Sequence, residues 1–313
     1  MAKLDFPDGK KFAFTIFDDT DFATVENVKP VYELLSRLGM ATTKSIWAFS
    51  GNDMQDRFNG SHTLADGEYA RFIKWLQEKG FEIAFHNASN CSSRRETTIS
   101  ALENFKEAVG YYPKTHANHS YNRENIYWGH DRLDLTLTRV IYKMIKTLIG
   151  KCPVSEGHKP GSPYFWGDVC QNRIKYVRNH VFREINLLRV NPTMPYKDPN
   201  RPFVKFWFSS CEGPDVQSFN RLISSRNQAR LEQEGGVCIM YTHFACGFVE
   251  SGRVNAETEE LLTELSRRRG WFVPVSTLLD YLQSRQVSET RPLYERVNME
   301  MRWFLSKLVH KTS

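Results

Sequence analysis

The chain has 313 residues, 41% of them hydrophobic and 25% charged, with a formal net charge of +6 at pH 7; this composition supports a sizeable core and excludes global disorder. Six cysteines, at positions 91, 152, 170, 211, 238 and 246, include no Cys-x-x-Cys pair and no regular spacing, which speaks against a disulfide framework. With a polar Met1–Lys11 and no apolar run near the roughly 20 residues of a spanning helix, the expectation is a cytoplasmic protein.

Lys11–Phe17 (KFAFTIF) is short, aromatic and β-branched, the pattern of a strand buried on both faces, and it runs into Asp18-Asp19-Thr20-Asp21. A helical pattern over Val28–Leu38 closes at Gly39, and Ala41–Phe49 reads as a second strand. The rhythm continues with a helix over Asp66–Lys79, a strand over Phe81–Phe85 and a helix over Ser92–Val109. Lys114–His116 precedes a long helical stretch over Leu133–Ile149. Strands are predicted at Glu184–Val190 and Phe203–Phe208, with the proline-bearing segment Asn191–Arg201 as a loop at the mouth of the domain. A polar helix over Val216–Glu232, the apolar strand Val237–Tyr241, a helix over Ala256–Arg269, and Trp271–Val275 before Leu278–Leu282 complete the series. The alternation predicts an α/β fold with a parallel sheet, closed or open. The basic run Arg267–Arg269 ends a helix just before Gly270, where cations complement the dipole; no nucleic-acid partner is expected.

In such folds the functional side chains gather where strands end. Three predicted strand ends deliver Asp18-Asp19, His86 and Thr242-His243, distant in sequence but able to meet at one rim. Carboxylate and imidazole together suit a divalent first-row metal with an open position, zinc first among them. Such a site serves hydrolysis, because the ion polarises a carbonyl and acidifies water.

Phe17-Asp18-Asp19, Glu82–His86 (EIAFH) and Ile239–His243 (IMYTH) resemble, in order and spacing, the motifs of the polysaccharide deacetylases, the NodB-like carbohydrate esterase family four. The resemblance spans about Lys11 to Leu282. It implies a distorted (β/α) barrel of about seven parallel strands over residues 1–285, followed by a helical extension over 286–313. It further implies Asp18 as catalytic base, His243 as catalytic acid, and a metal held by Asp19, His86 and the residue four further on, here Asn90. Asn90 stands where the family has a second histidine and is a weaker ligand, so His116 and His119 enter as candidates to complete or line the site. Asp21 follows Thr20 where the family has glycine and offers an extra carboxylate. Trp166-Gly167-Asp168 resembles, in altered order, the motif lining the acetyl pocket.

The function this implies is metal-dependent removal of an acetyl group from an N-acetylated sugar or glycan precursor. Asn90 keeps open a metal-free hydrolase of another C–N bond on the same barrel, and a non-catalytic glycan-binding or assembly protein is the third reading. Each residue has a bland alternative: adjacent acids form turns, a strand-end histidine sits in a core, and Cys246 is a small buried hydrophobe. Val297–His310 reads as an amphipathic helix that packs on the barrel or a second subunit, or touches an anionic membrane surface.

Overall fold

Strand β1, Phe12–Asp18, is buried along its whole length, as its run of aromatic and branched side chains requires. The structure, a computed structural model, describes residues 4–51, 58, 60–150 and 154–310. After β1 come α1 (Val25–Arg37), β2 (Thr43–Ile46), α2 (Gly67–Glu78), β3 (Glu82–Phe85), α3 (Arg95–Val109) and β4 (Thr115–His116). A 3-10 turn over Gly129–Arg132 leads into α4 (Thr136–Leu148), then α5 (Gly167–Arg173), β5 (Tyr176–Phe182) and β6 (Phe206–Glu212). The chain continues through α6 (Val216–Leu222), α7 (Ser225–Glu234) and β7 (Val237–Thr242), and then the two-residue strands β8 (Val249–Glu250) and β9 (Arg253–Val254). Helix α8 (Ala256–Ser266), β10 (Gly270–Trp271), α9 (Val275–Ser284) and α10 (Leu293–His310) complete it.

Strands β1 to β7 pair in sequence order, all parallel, and β1 pairs back to β7 from Ala13↔Val237 to Asp18↔Thr242. The sheet is thus a closed seven-stranded barrel with flanking helices, as expected, with β10 added beside β1 at Phe12 and Ala13. Strands β8 and β9 form a separate antiparallel pair. Apolar faces of the helices close the core: α1 buries Val28, Val31, Tyr32, Leu34 and Leu35, and its start is fixed by a reciprocal capping box between Thr24 and Asn27. Gly110, at φ 91°, supplies the left-handed residue that ends α3 before β4. None of the five described cysteines is in a disulfide.

Two elements differ from expectation, and one of the readings offered for the C-terminal helix is the one found. The strand predicted at Glu184–Val190 lies earlier, at Tyr176–Phe182, and Leu187–Arg189 is a 3-10 turn. Arg178, Asn179 and His180 break the apolar run of that strand, so propensity alone points past it. The single helix predicted over Val216–Glu232 is two, α6 and α7, separated at Ile223 and Ser224. The C-terminal amphipathic helix packs on the barrel: Met299, Trp303 and Phe304 are buried, Trp303 lies over His180 and the Arg132 guanidinium, and Lys307 pairs with Glu212 at 2.6 Å. Much of the face that the sequence offers to a membrane or second subunit is therefore covered.

At the opposite end from the strand C-termini, the buried carboxyl of Glu82 ties four elements together. It accepts from Thr43 Oγ1 at 2.8 Å, Thr115 Oγ1 at 3.0 Å and the Ser276 amide at 2.9 Å. Burial lifts its pKa above the usual carboxylate value, against the lowering effect of these donors. A raised folded-state pKa means that its contribution is fully present below the unfolded value of about 4.3 and fades as pH rises through the folded one. Glu82→Ala should cost about 2–4 kcal/mol by stranding buried donors. Glu82→Gln should cost less, with its deficit relative to wild type shrinking between pH 5 and pH 8, as read by denaturant unfolding; a deficit that grows with pH would contradict the sign.

Candidate active site

Strand register sets the height of every residue at the rim. Because Asp18 pairs with Thr242, the Asp19 amide donates to Thr242 O at 2.9 Å and the acidic turn stands beside His243. Phe85 pairs with Ile46 on one side and His116 on the other, which brings His86 level with Ala117. Side chains alternate along β1: Phe17 points inward against Phe208, so Asp18 points outward and Asp19 inward.

Asp18 is accordingly closed off from the rim. It is fully buried, and its carboxylate is taken by Lys44 Nζ at 2.9 Å, the Tyr32 hydroxyl at 2.8 Å and the Phe244 amide at 2.8 Å. The Asp18 charge keeps the Lys44 ammonium protonated against burial, which alone would lower its pKa. The expected base is thus part of a buried ion pair behind the barrel wall.

Asp19 instead faces the mouth, gripped by both nitrogens of the Arg178 fork, Nη1 to Oδ1 at 2.9 Å and Nη2 to Oδ2 at 2.5 Å. Burial would raise its pKa, but the Arg178 charge outweighs this and holds it below the usual value. Arg178 itself lies over the Tyr241 and Phe17 rings.

Asp21 is the convergence point. A tight turn, closed by Ala23 N donating to Thr20 O and passing through Phe22 at φ 61°, brings it back over the mouth. Three imidazole Nε2 atoms surround its carboxylate: His119 at 2.9 Å, His243 at 3.1 Å and His86 at 3.3 Å. Burial would raise the Asp21 pKa, but the His119 charge and polar contacts from the three rings hold it well below the usual range. His243 responds in kind: burial would lower it, while Asp21 and Asp19 lift it to about 9.

Each ring is oriented from behind through Nδ1, by Ala117 O for His86, Asn122 Oδ1 for His119 and Pro214 O for His243, all at 2.8 Å. These acceptors place the proton on Nδ1 and turn Nε2 inward, as for metal-binding histidines. The Nε2 atoms of His86 and His119 are buried and have no well-directed hydrogen bond. Asp19, Asp21 and His243 each present an atom within 4.8 Å of the others, and His86 Nε2 lies 3.9 Å from Asp19 Oδ2. Ligand atoms about 2.1 Å from a tetrahedral ion stand roughly 3.4 Å apart, so the spacing and the nitrogen and oxygen donors fit a small divalent metal.

The other predicted residues lie elsewhere. Asn90 turns its side-chain oxygen toward Gly51 and lines a cavity of about 350 Å³ with Trp47, Phe58 and His62. This cavity adjoins the site, since Trp47 and Phe58 contact the His119 ring. His116 is a core histidine, with Nδ1 against Phe85 O and Nε2 against Asn118 Oδ1, and burial pushes its pKa down to about 3. Trp166 is buried with its indole nitrogen donating to Glu124 O, while Asp168 forms a surface pair with Arg95.

Five contributors were not read from the sequence: Arg178, Lys44, Asn87, Asn122 and Glu124. The Asn122 amide nitrogen donates to Glu124 Oε1 at 2.8 Å, which fixes its oxygen toward His119. Asn87, in the left-handed region at φ 64°, donates to the same carboxylate and accepts from the His119 amide.

No protein-family model matches the chain, and no curated protein matches it by sequence. Solved structures do match by shape. One, assigned as a polysaccharide deacetylase from Mycobacterium smegmatis, is 13% identical with a TM-score of 0.51, over 93% of this chain and 98% of that one. A second from Pseudomonas aeruginosa PAO1, assigned likewise, is 12% identical with a TM-score of 0.55, over 90% and 94%. The Puue allantoinase is 12% identical with a TM-score of 0.51, over 90% and 93%. The chain therefore has the fold of the polysaccharide deacetylases, a NodB-like distorted (β/α) barrel.

Proposed function

We propose that this protein is a metal-dependent hydrolase that removes an acetyl group from an N-acetylated sugar or glycan precursor. The observation that carries the reading is the convergence of three oriented imidazole nitrogens on the buried Asp21 carboxylate. Asp21 belongs to the 4.8 Å group with Asp19 and His243 and also meets the Nε2 atoms of His86 and His119 at 3.3 and 2.9 Å; Asp21 with these two buried imidazoles would hold the ion, a donor set that suits zinc, and would leave Asp19 and His243 beside it. A divalent ion there supplies Lewis acidity, polarising an amide carbonyl and acidifying water in contact with it.

The chain's own groups divide the remaining work. Asp19, fixed by the Arg178 fork, keeps lone pairs free to accept the proton of the attacking water. His243 takes the acid role: its side chain is 15% exposed, against 1% for His86 and 3% for His119, so it is the ring a substrate can reach. Its Nδ1 donates to Pro214 O, and Nε2 delivers a proton to the leaving amine. The base is thus Asp19 rather than Asp18, and Asp21 takes the ligand place expected of Asp19. The cavity beside His119 falls within the roughly 300–1,000 Å³ of small-molecule sites; Trp47 and Phe58 offer apolar rings to a sugar face, and Asn90 offers an amide to its hydroxyls.

A second reading, hydrolysis of another C–N bond without metal, draws on the equal likeness to an allantoinase fold. Elemental analysis with an acetate-release assay on N-acetylated sugars separates the two. Wild type should hold about one divalent ion per chain, and Asp21→Ala should lose both ion and acetate release. Activity on a small cyclic amide, indifferent to chelator and without bound metal, would favour the second reading.

Asp19→Asn should retain the ion while acetate release falls by about 10²–10⁴-fold; unchanged turnover would remove Asp19 from the base role. Asn122→Ala, which frees the His119 ring, should weaken metal affinity by about 10–100-fold in a competition titration with a chromophoric chelator. Unaltered affinity would show that His119 is not a ligand.

A further inference from the structure

Helix α4 carries an apolar surface that nothing in the described chain covers. It buries only Thr138 and Tyr142, while Leu137 is 70% exposed, Leu148 84% and Met144 59%, with Val140, Ile145 and Ile149 exposed beside them. At 100° per residue, Leu137, Val140, Met144, Ile145 and Leu148 fall on one continuous arc. Scattered exposed leucines are ordinary, but a contiguous patch of this kind marks an interaction surface.

The helix is firmly mounted. Glu300 of α10 accepts from the Leu135 amide at 3.3 Å and from the Thr138 hydroxyl, and Trp303 packs on Tyr142. The chain leaves the rim at Leu133, whose carbonyl accepts from Arg201. It returns at Ser155, whose hydroxyl donates to Asn125 O and accepts from the Trp128 amide. Both anchors belong to the rim loops, and Asn125 neighbours the Asn122–Glu124 pair behind His119. The patch therefore springs from the same side of the barrel as the candidate site.

Charge identifies the occupant. From Leu135 to Ser155 the sequence has no Asp or Glu, but it includes Arg139, Lys143, Lys146 and Lys151. Arg139, Lys143 and Lys146 lie on the arc opposite the leucines, as in helices that rest in the interface of an anionic bilayer. With 13 residues, α4 is about 20 Å long, too short to span, and no helix among the described residues is long and apolar enough to cross a membrane.

We propose that α4 docks the protein on an anionic lipid surface, with its leucines among the acyl chains and its cations near the headgroups. This stands independently of the reaction proposed above. The test is co-sedimentation of the full chain with phosphatidylcholine vesicles, with and without phosphatidylglycerol, alongside light scattering of the protein alone. Wild type should bind the anionic vesicles, and less so as salt rises. Leu137→Ser with Leu148→Ser, and separately Lys143→Gln with Lys146→Gln, should each reduce binding at least tenfold. Leu305→Ser, at an exposed position on α10, should leave binding unchanged. Failure of wild type to bind anionic vesicles, or equal binding by the serine variant, would overturn the proposal. A wild-type dimer that the serine variant converts to monomer would assign the face to a second copy and overturn it as well.

Discussion

Three imidazoles stay within 3.3 Å of one carboxylate only if the strands bearing them end at matching heights. That match comes from the closure of β1 on β7 and from the register of β3 between its neighbours. The backbone hydrogen bonds of the barrel therefore do more than stabilise a core: they set the separation of groups that come from opposite ends of the chain. Clustering titratable groups in a buried pocket is costly by itself, and here opposite charges and oriented acceptors offset the cost.

The same economy appears one residue earlier. Asp18 and Asp19 are neighbours in sequence, but the pleat sends them to opposite sides of the wall, and each meets a cation there, Lys44 outside and Arg178 inside. Neither carboxylate is left uncompensated. The outer pair joins β1 to β2 next to Tyr32 of α1, which stiffens the strand end from which the acidic turn departs.

Much of this was legible beforehand. The β-α alternation gave the parallel sheet, the resemblance of the motifs implied its closure into a barrel, and strand-end positions gave His86 and His243. Asp19 was named as a metal ligand, and Asp21 and His119 as residues that complete or line the site. Motif order alone could not tell Asp18 from Asp19, because that distinction depends on which face each residue takes. Arg178 escaped notice because Arg178, Asn179 and His180 make a working strand look like a loop. Lys44 was not singled out, because lysines are rarely buried. Asn90 stood at the expected helical spacing, but the chain after His86 is irregular up to α3, so the premise of a shared helical face did not hold. His119 lies nearby through a loop ordered by Asn87, Asn122 and Glu124, and no periodicity announces such a contact.

Helix α10 completes the rim from the far end of the sequence. It lays Trp303 over Arg132 and His180, and it supplies the Glu300 carboxylate that satisfies the start of α4. During synthesis every barrel strand emerges before it does, so a nascent chain can close the barrel while this side remains unroofed. The order of emergence thus separates assembly of the scaffold from completion of the rim, and α10 acts as a keystone set after the arch.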